Sequence, residues 1–240
     1  MGFSKGCYTL IYNNMAFLDN FFLIFSNNHH KRISNYLQKL NLKELIDVGA
    51  HKGEFLSYVI KINSIKKFYV FEPQAKIFNI LKKNFSRNYK IKLINKGLSK
   101  RPSNKILYIN KLSSSSTMSK FNKNSAYLKL KNMLVGSKKN YIDKYSIKTT
   151  SINKFFKNIK LKNCLLKIDV EGFEYNVLAG SENKMDEIKY ILIERQFGNL
   201  YKNKNFSEIK DYLYKKKFKI LKRFIFPTLH YQDVIFKKFK

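Results

Sequence analysis

The stretch Leu45-Ile46-Asp47-Val48-Gly49-Ala50-His51-Lys52-Gly53-Glu54 constrains the fold more than any other. A short apolar run ends in an acid, passes through a turn with two glycines, and enters a helical pattern carried by Phe55, Tyr58, Val59 and Ile62. A strand that stops at a glycine-rich turn and feeds a helix is a device for cradling a nucleotide. Glycine lets the backbone approach the ligand, and the helix N-terminus offers unpaired N–H groups. The spacing is D-x-G-x-x-x-G. A dinucleotide fingerprint would require glycine at positions 51 and 54, where His51 and Glu54 stand, so the pattern argues against NAD.

A second apolar run, Lys67-Phe68-Tyr69-Val70-Phe71, also ends in an acid, Glu72, followed by Pro73. In a strand-helix-strand unit Glu72 falls at the carboxyl end of the neighbouring parallel strand, where a carboxylate accepts both hydroxyls of a ribose. Pro73 donates no N–H and stops the strand. An acid two residues before the first glycine suits S-adenosylmethionine, which carries an α-ammonium group and no pyrophosphate. The cofactor set read this way is Asp47, Gly49, Ala50, His51, Gly53, Glu72 and Pro73. Gly97 and Leu98 join it from the loop after a third strand, Ile91–Ile94, where such loops flank the adenine.

The remaining chain alternates in the same way. Ile77, Ile80, Leu81 and Phe85 share one helix face. Lys105–Ile109 and Ser146–Thr150 read as strands, and Ser151 as the N-cap of a short helix through Phe155 and Phe156. Leu165-Leu166-Lys167-Ile168-Asp169-Val170-Glu171-Gly172 is another apolar strand ending in acids and a glycine, with a helix that stops at Gly180. Tyr190–Ile193 ends in Glu194. Ser207 is the expected cap of a helix carrying Ile209, Tyr212 and Leu213, and Phe218–Ile225 with Val234–Phe239 form a closing antiparallel pair. The expectation is an α/β fold with a doubly wound, mostly parallel sheet. Ligands of such sheets bind outside the carboxyl ends of the strands, where Asp47, Glu72, Asp169 and Glu194 all fall.

At 240 residues and 44% hydrophobic content the chain supports one domain, expected at 42–240, preceded by an extension over residues 1–41. That extension is helical in part, since Ile33, Tyr36, Leu37 and Leu40 form an apolar stripe. A lysine-rich insertion spans about 111–145, and its run Ser113–Thr117 either faces substrate or is linker. The formal net charge of +32 points to an anionic partner, or to the drift of an AT-rich genome, which also explains abundant Asn, Ile, Phe and Tyr and the absence of Trp. Two cysteines, Cys7 and Cys164, make no C-x-x-C pair, which fits a reducing, cytoplasmic setting. The apolar stretch Met15–Phe25 is too short to span a membrane and contains Asp19. No small-residue cleavage site follows it, so no secretory signal is expected.

With these residues in view, the chain resembles the FkbM-type S-adenosylmethionine-dependent methyltransferases from Glu44 to about Gln196. The resemblance rests on Ile46–Gly53, Phe71-Glu72-Pro73, Lys167–Glu174 with Val177–Gly180, and Ile191–Glu194. His51 stands where the family usually has Asn, and Asn153 where an acid is common. The resemblance implies a Rossmann-like class I methyltransferase domain with a seven-stranded sheet. It also implies methyl transfer to a hydroxyl of a sugar, glycan or similar acceptor. A hydroxyl needs a base. Asp169 is the first candidate, then Glu171 and Glu194, and a divalent cation shared by Asp169 and Glu194 is an open alternative.

A nucleic-acid methyltransferase is the runner-up. Exocyclic-amine enzymes place N/D-P-P-Y/F/W where this chain reads Asp169-Val170-Glu171-Gly172, and cytosine C5 enzymes need a cysteine that Cys164, at the wrong strand end, does not supply. Lys52, Asp169, Arg195 and Glu208 do not map onto the Lys-Asp-Lys-Glu set of ribose enzymes. A non-catalytic basic binding module is the third reading, against which stand the intact Asp47, Gly49, Gly53, Glu72 and Asp169.

Overall fold

The computed structural model describes residues 25–110, 116–120, 122, 125, 141, 143–196, 201, 205–227 and 231–239. Residues 1–24 and most of the lysine-rich stretch, including Ser113–Ser115, lie outside them. In chain order the elements are α1 (25–37), β1 (Glu44–Val48), α2 (Glu54–Val59), β2 (Lys67–Phe71), α3 (Ala75–Phe85), β3 (Ile91–Ile94), β4 (Gly97–Leu98), β5 (Ser103–Ile109) and β6 (Asp143–Thr150). There follow α4 (Ile152–Phe155), β7 (Cys164–Ile168), α5 (Glu174–Ala179), β8 (Ile188–Gln196), α6 (Phe206–Lys215), β9 (Phe218–Ile225) and β10 (Tyr231–Lys238).

Among the described residues seven strands form one sheet in the order β3-β2-β1-β7-β8-β10-β9. The first five are parallel. β10 runs against both β8 and β9, so the expected antiparallel pair is present and β9 regains the common direction. Strand order reverses between β1 and β7, which makes their carboxyl ends the switch point. A second sheet, β4-β6-β5, sits beside the first.

β1 and β7 are buried on both faces, as central parallel strands must be, and this explains their unbroken apolar runs. Leu45, Val70, Leu165, Leu192 and Ile235 face α1–α3, with Ile33 and Leu37 of α1 in the same core. Ile46, Phe71, Leu166, Ile193 and Val234 face α4–α6. Side chains alternate along a strand, so Asp47, Lys167, Glu194 and Asp233 follow Leu45, Leu165, Leu192 and Ile235 onto the α1–α3 face. Cys164 is buried in the other core, as a small apolar residue would be.

Ser151 caps α4 by accepting the Lys154 amide at 3.2 Å, and α5 ends at Gly180. The cap of α6 differs from expectation. Asn205, not Ser207, accepts the Glu208 amide, while the Glu208 carboxylate accepts the Asn205 amide. This reciprocal pair satisfies two orphan donors at once, which Ser207, already inside the first turn, cannot do.

Candidate active site

The turn after β1 is built against its neighbours. The amides of Gly49 and Ala50 both donate to the Phe71 carbonyl oxygen, at 3.0 and 3.1 Å, and the Asp169 amide donates to that of Val48 at 3.0 Å. Gly49 has φ +81°, and a Cβ there would collide with the Asp169 carbonyl oxygen, so only glycine lets the ends of β1 and β7 close this tightly. Gly53 is the N-cap of α2. His51 also has a positive φ; its amide donates to Glu72 Oε2 at 3.0 Å and its Nδ1 lies 2.8 Å from Glu54 Oε1. The ring therefore engages the first turn of α2, a role that the sequence pattern does not announce.

Glu72 is buried. Its Oε1 accepts the Gln74 amide at 2.7 Å across Pro73, and burial pushes its carboxyl up to about 7 although both backbone donors favour the charged form. Asn95 Nδ2 donates to the Glu72 carbonyl oxygen at 2.8 Å, bringing the loop after β3 to the same edge. Gly97 and Leu98 form β4 beside Thr149 and Thr150, with the Leu98 side chain in the core.

Asp47 is fully buried, and burial raises its pKa. Lys167 Nζ stands 3.2 Å from its Oδ1 and 3.3 Å from Asp169 Oδ2, so one ammonium is shared between the end of β1 and the end of β7. Burial works against that ammonium, but Asp47 and Asp169 outweigh it and hold its pKa above the usual lysine range. The contact to Asp47 is an ion pair without hydrogen-bond alignment, and both Asp47 oxygens lack a hydrogen-bond partner. A buried carboxylate with spare acceptor capacity beside a glycine turn fits the α-ammonium of S-adenosylmethionine. Glu72, with lone pairs beyond its two backbone bonds, fits the ribose.

Carboxylate oxygens of Asp169, Glu171 and Glu194 lie within 4.8 Å of one another, all three residues half-buried. This is a donor set able to bind hydroxyls or a divalent cation. The structure brings together acids that the sequence places at two strand ends, Asp169 and Glu171 after β7 and Glu194 on β8. Around them Tyr201 donates its hydroxyl to Glu171 Oε2 at 2.9 Å, Thr117 donates to the Glu171 carbonyl oxygen at 2.5 Å, and Ser119 donates to that of Gly172 at 2.7 Å. Thr117, the last residue of the hydroxyl run, thus caps a turn of the site.

Sequence reasoning missed four groups at this edge: Lys167 as a bridge, Asp233, His29 and His30. Asp233 pairs with Glu194 in the β8–β10 register, and His29 Nε2 lies 2.8 Å from Asp233 Oδ2. His30 packs edge-on to Phe55 of α2 at 5.8 Å, and burial, then Lys167, lowers its pKa to about 4. The K-I-D spacing, with one residue between Lys167 and Asp169 on the same side of a strand, was the available signal for the bridge.

The seven-stranded sheet with one reversed strand, the glycine turn at the switch point and acids at the neighbouring strand ends define a Rossmann-like methyltransferase that uses S-adenosylmethionine. Residues 47–220, more than half of the chain, match the model of the methyltransferase FkbM domain, and the chain belongs to that family. No curated protein matches it by sequence. Among solved structures it is similar to methyltransferase FkbM from Methylobacillus flagellatus KT, with TM-score 0.53 and 13% identity over 82% of this chain and 44% of that one. It is also similar to the methyltransferase domain of bacterial CtHen1-C, with TM-score 0.51 and 10% identity over 90% of this chain and all of that one. A third likeness is to M. capricolum TrmK, solved with S-adenosyl-homocysteine, with TM-score 0.48 and 15% identity over 86% and 68% of the two chains. The chain spans less than half of the FkbM structure's length. Among the described residues no helix is long and apolar enough to cross a membrane.

Proposed function

We propose that the chain transfers the methyl group of S-adenosylmethionine to a hydroxyl of a sugar, glycan or similar small acceptor. The observation that carries this reading is the trio Asp169, Glu171 and Glu194, gathered beside the cofactor turn. Carboxylates accept hydrogen bonds from neutral polyol hydroxyls and repel phosphates, so the trio favours a sugar over a nucleic-acid backbone at the point of transfer, despite the net charge of +32.

In this reading Asp47 meets the α-ammonium of the methyl donor, and Gly49, Ala50, His51 and Gly53 form the turn around its amino-acid tail. Glu72 and Pro73 hold the ribose end, and Gly97 and Leu98 border the adenine. The donor supplies a methyl already activated on a sulfonium, so the protein's task is in-line positioning and removal of one proton. Asp169, Glu171 and Glu194 hold the acceptor's hydroxyls.

The test is transfer of labelled methyl from S-adenosylmethionine into polysaccharide, lipid and RNA fractions of the parent cells. Label in polysaccharide, stable to base and lost on ether cleavage, is the expected result. Label in RNA alone would overturn the reading.

A further inference from the structure

Side chains from outside the motifs that carry the family resemblance close on one turn of the site. Thr117 and Ser119 belong to the lysine-rich insertion, and Tyr201 to the connection between β8 and α6. Thr117 is itself anchored: its amide and carbonyl exchange hydrogen bonds with Tyr108 of β5 at 3.0 and 2.8 Å. Its hydroxyl accepts the Ser119 amide at 2.9 Å and donates to the Glu171 carbonyl oxygen, while the Ser119 hydroxyl donates to that of Gly172. Thr117 and Ser119 are both buried, so each bond would be costly to leave unmade.

The turn they hold is strained. Glu171 has φ +52° and Gly172 φ +85°. Glycine enters that region freely and glutamate does not, and such a residue persists only where its surroundings over-determine it. A Cβ on Gly172 would strike the Tyr201 ring, so the ring lies directly on the turn. The Tyr201 hydroxyl donates to Glu171 Oε2 at 2.9 Å. Burial, then the Glu171 carboxylate beside it, holds the phenol above its usual range, so it stays a donor. A carboxylate can take several donors at once, so this bond orients Glu171 without filling it. Glu171 needs such a hold. Its carboxylate lies within 4.8 Å of those of Asp169 and Glu194, and like charges so close drive an unheld side chain toward solvent.

We propose that Tyr201 is a positioning residue for the acceptor: its hydroxyl aims the Glu171 carboxylate into the acid trio, while Thr117 and Ser119 fix the backbone of the turn that carries it. The insertion thereby takes part in acceptor recognition. This rests on the hydroxyl-acceptor reading above, in which Glu171 holds a hydroxyl of the acceptor.

The test is a double-mutant cycle on the full chain. It reads transfer of labelled methyl from S-adenosylmethionine into the polysaccharide fraction and, separately, the affinity for S-adenosyl-homocysteine. Tyr201→Phe keeps the ring on Gly172 and removes only the hydroxyl. Its kcat/KM for the polysaccharide should fall roughly tenfold or more, with S-adenosyl-homocysteine bound within about twofold of wild type. Glu171→Gln should lose at least as much, and adding Tyr201→Phe to it should change kcat/KM by less than about twofold, because groups acting through one contact are not additive. Thr117→Val should lower kcat/KM in the same direction at unchanged donor affinity. Losses that add in the double variant overturn the assignment. So does wild-type kcat/KM in Tyr201→Phe, including the case where only the melting temperature falls, which marks a purely structural tyrosine. Should Tyr201→Phe fail to fold, Thr117→Val decides, and wild-type kcat/KM there overturns the proposal. A wild type that binds S-adenosyl-homocysteine but methylates no polysaccharide sinks the hydroxyl-acceptor reading and this assignment with it, whereas labelled polysaccharide with additive losses sinks this assignment alone.

Discussion

The amide of His51 donates to the Glu72 carboxylate at 3.0 Å, so the glycine turn after β1 is fastened to the end of β2 by the side chain proposed to hold the ribose. Burial holds Glu72 near pKa 7, against an ordinary 4.5. Below that pH the ligand must displace a proton, so affinity for S-adenosyl-homocysteine should fall by up to about tenfold per unit as pH drops from 7 to 5. Glu72→Gln should bind roughly 10- to 150-fold more weakly at pH 8, the effect of losing about 1.5–3 kcal/mol of charge-assisted hydrogen bonding, and should lose most of the pH dependence. Calorimetry at three pH values checks both, and equal affinity in the two proteins would refute the ribose assignment.

Gly49→Ala should destabilise the fold itself. A methyl at φ +81° would also strike the Asp169 carbonyl oxygen, so the cost should exceed about 2 kcal/mol. Urea unfolding measures it. Wild-type stability in this variant would mean that the β1 and β7 ends are less tightly closed than the structure has them.

Asp169→Asn removes one charge from the trio and one partner from Lys167. Turnover should fall roughly 10- to 150-fold, the worth of one charged hydrogen bond to the acceptor, with the methyl donor still bound. Activity that disappears with a chelator and returns with a divalent ion in wild type alone would assign the trio to a metal instead.

His30 gives a stability signature of opposite sign to that of Glu72. Its pKa is lowered to about 4, so between pH 6.5 and 4 the unfolded chain binds a proton that the folded chain refuses. Stability should therefore fall as pH drops through that window, and His30→Gln should lose less over the same range. Glu72 acts the other way, its raised pKa contributing stability that is whole below 4.5 and lost as pH rises to about 7. Urea midpoints of wild type and His30→Gln at pH 4.5, 5.5 and 7 isolate the histidine; identical slopes would refute its burial.

The carboxyl edge of the sheet was legible where one strand carried its own signal. β1 and β7 are buried on both faces, so their apolar runs stand out, and the acids that end them mark the site. β10 was legible only from Val234, because Gln232 and Asp233 break its apolar run, although both are buried in the fold. Nothing local announces His29: its partner lies 204 positions away, and the segment before Ile33 has no period. Asn205 and Ser207 both resemble caps, and only Glu208, at capping-box spacing from Asn205, separates them.

Because β10 lies between β8 and β9, two strands made before it, a growing chain cannot close its sheet in order of synthesis. Until β10 enters, one edge of β8 is unpaired, and β9, which among the described residues pairs with β10 alone, has no place in the sheet. Asp233 arrives with that strand. The acid that meets His29 is thus placed only when β10 docks, and one strand joins β9 to the sheet and Asp233 to the edge beside Glu194.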